Sequence, residues 1–343
     1  MKVAVIKGPY KMEIKDRPIP SPSDGEVLVK VKSVGICGSD VHGFLGLSGK
    51  RRLPGLVMGH EASGQVEEIG SKVTGWNKGD RVAINPQLSC GYCYQCRRGW
   101  SHLCDNMSVI GSSMRNFKDG AMCEYIVLPA SQLYKIPSSL SFGEAAMLDP
   151  VSNSLHVFNR SSMDIGDTVA IIGTGVIGLV LVQVAKLKGA GKVIAVDASD
   201  KRLELAKTFG ADILVNSHTE NTVEAIMSET GGRGADIVVE AVGLPVTYQN
   251  AVNSVRKRGE ILALGFRDAE VPIPIQPLLF REITIIGNTG FLFEILPFID
   301  LVAGGKIDVK PIITHVFSID DVQKAFELAA DESSGAIKVM VTP

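Results

Sequence analysis

The chain has 343 residues, among them 36 glycines and six cysteines, with a formal net charge of −2 and a pI of about 6.3. That length suggests about two domains around a large core, and the balanced charge argues against nucleic acid or an anionic membrane as a partner. So few cysteines exclude a disulfide-dense scaffold. The longest apolar run, VAIIGTGVIGLVLVQVA at 169–185, is broken by glycines, so it reads as buried strand and helix, not a membrane span.

Taken in chain order, MKVAVIKGPYKMEIKDRP alternates apolar and polar residues like a strand. It lacks the apolar core and cleavage site of a signal peptide, so with reduced cysteines a cytoplasmic protein is expected. EVLVKVKSVGI, GDRVAI and CEYIVLP follow as short strands between Gly/Pro turns. Residues 1 to about 150 therefore read as a β-rich, barrel-like lobe with inserted loops. Near Pro150 the pattern changes. TVAIIG, KVIAVD, DILVN, ADIVVEAVG and EILALGF read as strands. They alternate with helices over VIGLVLVQVAKLKG, KRLELAKTFG, TVEAIMSETGG and TYQNAVNSVRKRG. Such alternation predicts an α/β, doubly wound parallel sheet. The tail offers helices at LPFIDLVAGGKI and IDDVQKAFELAAD and a last strand, AIKVMVTP. It could stay with the second domain or return to the first.

Cys90, Cys93, Cys96 and Cys104 are spaced Cys-x2-Cys-x2-Cys-x7-Cys. Four thiolates this close can close a tetrahedron around one Zn²⁺, which makes a structural site. The competing disulfide reading is weaker, because a Cys-x2-Cys pair is a poor disulfide partner. His102 lies within the loop, but the tetrahedron is already full.

Gly173, Gly175 and Gly178 form Gly-x-Gly-x-x-Gly between a strand and a helix, with Val176 and Ile177 opening that helix. The first glycine makes the turn, the second admits a pyrophosphate, and the third lets helix pack on strand. Asp197 ends the next strand, where a carboxylate accepts from ribose hydroxyls and repels a 2′-phosphate. This favours NAD over NADP. Arg202 is placed to fasten the ribose or adenine, or to be a solvated helix residue.

Other informative residues are dispersed: Cys37 in GICGSDVH, His60 and Glu61 in MGHEASG, and Asp149 in MLDPVSNSLH. Alone, each reads blandly. Together they offer a thiolate, an imidazole and two carboxylates, and three protein ligands with one exchangeable position make a catalytic zinc site.

At Gly59-His60-Glu61-x2-Gly64-x5-Gly70-x2-Val73, with the cysteine cluster, Gly79-Asp80-Arg81-Val82 and the glycine turn at 173, the chain resembles the zinc-dependent medium-chain dehydrogenases. These are the alcohol, sorbitol and threonine dehydrogenase group, and the resemblance spans essentially the whole chain. It implies a GroES-like catalytic domain over 1–152 and 291–343 and a Rossmann NAD-binding domain over 153–290. It implies two zinc ions per subunit and an assembly of two or four copies. Cys37 and His60 would be zinc ligands, with the third either Glu61 or Asp149. One of these carboxylates would bind the metal and the other its water, or they would exchange. Ser39 and His42 would carry the proton of the alcohol to solvent through the ribose hydroxyls; an imidazole near its neutral pKa suits that task.

The resemblance implies hydride transfer from a secondary alcohol of a polyol or sugar-derived substrate to NAD, giving a ketone. The alternatives are L-threonine and a polyol phosphate, for which Arg115, Lys118 or Arg281 could meet the phosphate. A catalytically silent zinc- and NAD-binding regulator is the reading from a different class, but every ligand and relay position is filled. Cys123 is expected only to pack, His156 to support the second domain, and His218 and His315 to be structural or exposed.

Overall fold

The computed structural model describes residues 1–267 and 270–343, and these form two compact units. One unit comprises Met1–Asp149, Ile295–Gly305 and Val309–Pro343; the other comprises Pro150–Glu294 and Lys306–Asp308. Most of the tail thus belongs with the first unit.

The first unit is built on a seven-stranded sheet. Along it run Ile313–Ser318, Lys338–Thr342, Glu26–Gly35, Glu61–Ile69, Arg81–Ile84 and Leu133–Lys135, with Tyr125–Pro129 also pairing with Glu26–Gly35. The alternating residues of EVLVKVKSVG explain its central strand, where Val27, Val29, Val31 and Val34 are buried. Gly35 pairs with Glu61 on one side and Met340 on the other. Long-range pairing therefore brings three distant segments to one point of the sheet. The N-terminal alternation forms a hairpin, Lys2–Gly8 with Lys11–Asp16.

The second unit holds six parallel strands in the order Ile213–Asn216, Lys192–Asp197, Thr168–Ile172, Ala235–Glu240, Val255–Ala263, Thr284–Gly287. In sequence order this is 3-2-1-4-5-6, the doubly wound arrangement, with its switch point beside Thr168–Ile172. One expectation is corrected here. The helix read over 247–259 spans Pro245–Ser254, and Val255 begins a strand. Val255 is fully buried and pairs with Ala235, a bulge follows, and Arg258 adopts φ 55°. Burial of this valine in the sheet overrides the helical propensity of the arginines and lysine after it.

Candidate zinc and dinucleotide sites

The cysteine loop folds into a short helix, Tyr94–Arg97, whose N-cap is Cys93. Ligand atoms of Cys90, Cys93, Cys96 and Cys104 all lie within 4.8 Å of one another. Cys93 Sγ and Cys104 Sγ are 3.9 Å apart. A tetrahedron with Zn–S of about 2.3 Å has edges of about 3.8 Å, so this sulfur set fits zinc. Backbone N–H groups of Cys90 and Asn106 donate to Cys104 Sγ, and that of Cys93 donates to Cys90 Sγ. Burial pushes the Cys90 thiol up, but N–H donors from Tyr92 and Cys93 outweigh it and pull it down to about 6. Burial and the neighbouring sulfurs push Cys96 up to about 12. Such crowding of sulfurs is relieved by a shared cation. All six cysteines are unpaired, and His102 is outside the cluster.

The second cluster lies within the first unit. Cys37 caps the helix Gly38–Phe44, and Asp40, its third residue, accepts from Cys37 N through Oδ2 at 3.2 Å. Gly59, at φ 89°, turns the chain so that His60 and Glu61 enter the strand beside Gly35. A Cβ at Gly35 would sit 2.4 Å from Glu61 Oε2, so glycine clears room for that carboxylate. Ligand atoms of Cys37, His60 and Glu61 lie mutually within 4.8 Å. Asp149 is outside that set, near enough to interact with His60, Glu61 and Lys338. Burial pushes the Asp149 carboxyl up to about 6, against the pull of His60. Sulfur, imidazole and carboxylate in one group, with His60 and Glu61 buried and Cys37 half-buried, suit a catalytic zinc.

Three charged residues here were not anticipated from sequence. Asp40 is fully buried, and its Oδ1 lies 3.5 Å from His60 Nδ1. Burial works against its charge, yet His60 and Arg52 hold its carboxyl well below the usual range. Arg52 donates to Asp40 from Nε and Nη2 at 3.2 and 3.0 Å. Lys338, 2 % exposed, donates to Glu61 Oε2 at 2.5 Å and to the Ile36 carbonyl at 3.2 Å. The one sequence signal for Asp40 is its place three residues after a helix cap. For Lys338 it is a lone cation in an apolar strand. Ser39 and His42 occupy positions i and i+3 of the Gly38–Phe44 helix, hence one face.

In the second unit, Gly173 has φ 97°, and a Cβ there would lie 2.6 Å from Val242. A Cβ at Gly178 would lie 1.9 Å from the Gly173 carbonyl oxygen, whereas Gly175 faces open space. The turn is thus tight at its ends and open in the middle, where a pyrophosphate can approach the helix Val176–Leu187. Val176 and Ile177 are half-buried at the helix start. Asp197 accepts from Thr174 N at 2.7 Å and from Ser199 N at 3.0 Å, and Arg202 Nη1 is 3.8 Å away. A carboxylate fixed by two backbone donors is aimed before any ribose arrives. These residues fit a dinucleotide.

His156 Nδ1 is 3.1 Å from Glu294 Oε1, joining the start of the second unit to its end. Cys123 is buried and lies outside both groups of metal-ligating residues found among the described residues; burial pushes its thiol up to about 12. His315 is partly buried beside Thr314, and His218 lies in an exposed turn. Arg115 donates to the Cys104 and Asp105 carbonyls, and Arg281 to those of Val252 and Val255. Both guanidiniums are committed to backbone. Lys118 forms a backbone bridge with Ser112.

Two family models match the chain: an alcohol dehydrogenase GroES-like domain over 23–138 and a zinc-binding dehydrogenase over 176–303. Sorbitol dehydrogenase of Bacillus subtilis is 35 % identical, over 100 % of this chain and 97 % of that protein. L-Threonine 3-dehydrogenase of Pyrococcus horikoshii is 36 % identical, over 97 % and 96 %. Among solved structures, an alcohol dehydrogenase of Escherichia coli CFT073 complexed with NADH superposes with a TM-score of 0.92 at 33 % identity, over 100 % and 99 % of the two chains. A zinc-binding dehydrogenase structure from Sinorhizobium meliloti 1021, bound to NADP, has a TM-score of 0.91 at 33 % identity, over 100 % and 99 %.

Proposed function

The chain belongs to the zinc-dependent medium-chain alcohol dehydrogenases, and from that premise we propose that it oxidises a secondary alcohol of a polyol or sugar-derived substrate to a ketone with NAD. The observation that carries this reading is the close grouping of Cys37, His60 and Glu61, with Ser39 on the helix that Cys37 caps. When bound, zinc supplies Lewis-acid polarisation of the substrate hydroxyl, and NAD supplies the hydride acceptor.

The protein's own residues do the rest. Cys37, His60 and Glu61 would hold the metal, and Asp40 would orient the imidazole by facing its Nδ1. Asp149, which interacts electrostatically with His60 and Glu61, is the carboxylate in reserve, to exchange with Glu61 or to bind a water. Ser39 Oγ takes the hydroxyl proton of the alcohol as its own proton moves on toward His42. The turn Gly173–Gly178 holds the pyrophosphate and Asp197 the ribose hydroxyls. A 2′-phosphate would bring negative charge against Asp197, which supports NAD here although one relative binds NADP.

Commitment of Arg115 and Arg281 to backbone carbonyls argues for a free polyol over a phosphorylated one. L-Threonine is the second reading, since a threonine dehydrogenase is as similar as the sorbitol enzyme. Unpaired cysteines suit the cytoplasm. Ile275, Leu279 and Phe280, 65, 67 and 76 % exposed, support assembly into a dimer or tetramer. None of the described helices is long and apolar enough to cross a membrane.

The test is NADH formation by zinc-loaded protein over free polyols, polyol phosphates, simple secondary alcohols and L-threonine, repeated with NADP and after chelation. Zinc-dependent turnover of a free polyol with NAD is expected. Turnover of L-threonine alone would transfer the assignment to the second reading. Silence over the whole panel would overturn both.

A further inference from the structure

We propose that Arg52 is a positioning residue for the proton relay, one guanidinium holding the Ser39 hydroxyl and the Asp40 carboxylate together. The Arg52 side chain is 5 % exposed, although it enters from a loop. Its Nη2 donates to Ser39 Oγ at 3.1 Å and to Asp40 Oδ1 at 3.0 Å, while Nε donates to the same Oδ1 at 3.2 Å. Nη1 is tied to the Arg51 carbonyl at 3.1 Å. The helix is shaped to receive it: a Cβ at Gly43 would stand 2.5 Å from Arg52 Cγ.

The consequence follows from donor and acceptor rules. A guanidinium only donates, and a hydroxyl has one proton and two lone pairs. Ser39 Oγ must therefore accept from Arg52 with one lone pair. Its second lone pair is left for the proton of the alcohol, and its own O–H is turned away from Arg52 toward the next acceptor. In the oxidation, the O–H bond of the alcohol breaks, its proton goes to Ser39 Oγ, and the original Ser39 proton leaves to His42 or water. The hydride goes to NAD. Arg52 exchanges no proton; it keeps Oγ in one orientation and offsets negative charge that gathers there. A lysine could not bridge both groups with planar, fixed donors.

The inference rests on the dehydrogenase reading with Ser39 as relay. The test compares Arg52→Lys, Arg52→Ala, Ser39→Ala and the Arg52→Lys/Ser39→Ala double variant, using the best substrate of the panel. Arg52→Lys should lower kcat about 10- to 100-fold, with KM nearly unchanged, zinc content unchanged and a larger solvent isotope effect. In the Ser39→Ala background the same change should cost nothing more. If Arg52→Ala folds, added guanidinium should restore part of its kcat; if it does not fold, Arg52→Lys decides. Multiplying losses in the double variant, or zinc lost in parallel with kcat, would make Arg52 merely structural. An unchanged kcat in Arg52→Lys would overturn the inference alone. A wild type inactive on the whole panel, or an unchanged kcat in Ser39→Ala, would overturn the relay reading and the inference with it.

Discussion

Lys338→Met separates the apo protein from the zinc-loaded one. The ammonium is 2 % exposed, 2.5 Å from a Glu61 carboxylate that is equally buried. Methionine keeps the volume and removes the charge, leaving Glu61 without its cation. Breaking a buried pair in this way costs about 3–5 kcal/mol. For a domain of this size each kcal/mol moves Tm by about 2–4 °C, so the apo variant should melt roughly 6–20 °C below apo wild type. Bound zinc would restore a positive charge beside the same carboxylate. The zinc-loaded variant should therefore lose less than half as much, and its zinc should be held at least as tightly as in wild type, because Glu61 no longer has a competing partner. Thermal unfolding with chelator and with one added equivalent of zinc measures the difference. Equal shifts in both states would refute the claim that Lys338 and the metal share Glu61.

Cys37→Ser or His60→Ala should lower turnover by at least about 10³-fold, the Lewis-acid contribution being several kcal/mol. NAD affinity, measured by fluorescence titration, should stay within about twofold because the dinucleotide residues are untouched; normal turnover would remove the metal assignment. Cys93→Ser should release one of two zinc ions and lower Tm, since a structural site contributes folding energy outright; unchanged metal content and Tm would exclude it. Asp197→Ala should weaken NAD by about 10- to 100-fold, the range for a hydrogen bond to a charged group, and narrow the preference over NADP. Unchanged KM for both dinucleotides would refute its role. Burial pushes Glu294 up, but bonds from His156, Leu292 and Asn159 overcome it and hold the carboxyl at about 2, below its ordinary value of 4.5. A depressed carboxylate stabilises above its unfolded pKa and loses that contribution as pH falls through the folded one. The stability gap between wild type and Glu294→Gln should be full above about pH 4.5 and close toward pH 2, read by urea unfolding across that range. A gap independent of pH would mean that Glu294 acts by packing alone.

What could be read in advance depended on how far apart the partners lie along the chain. The cysteine cluster was legible because its four ligands fall within one loop, and the dinucleotide turn because strand, glycines and Asp197 follow in order. Cys37, His60, Glu61 and Asp149 were legible as residue types, chiefly through resemblance. Their geometry was not, for it comes from pairing Gly35 with both Glu61 and Met340. Glu61 and Asp149 stayed equivalent in the sequence; folding puts Glu61 in the group with Cys37 and His60. Lys338 could not be foreseen, being 277 residues from its partner. Lys50, Arg51 and Arg52 are three consecutive cations in the sequence, and only the fold, through Gly43 and Asp40, gives Arg52 a buried seat.

Charge balance explains why those unforeseen cations belong to the site. With zinc bound, Cys37 would ligate as a thiolate, and with the acids Asp40, Glu61 and Asp149 it would bring four formal negative charges in and around one cluster. Arg52 and Lys338 return two. Water is a poor source of the rest in a low-dielectric interior, where an uncompensated charge is expensive. In the metal-free protein burial and Glu61 push the Asp149 carboxyl up to about 6, against the pull of His60. One divalent cation closes the balance with His60 neutral, the state in which imidazole can ligate. The two fixed cations therefore leave a site that calls for two charges, not four. On the proposed assignment Glu61 would be shared between lysine and metal.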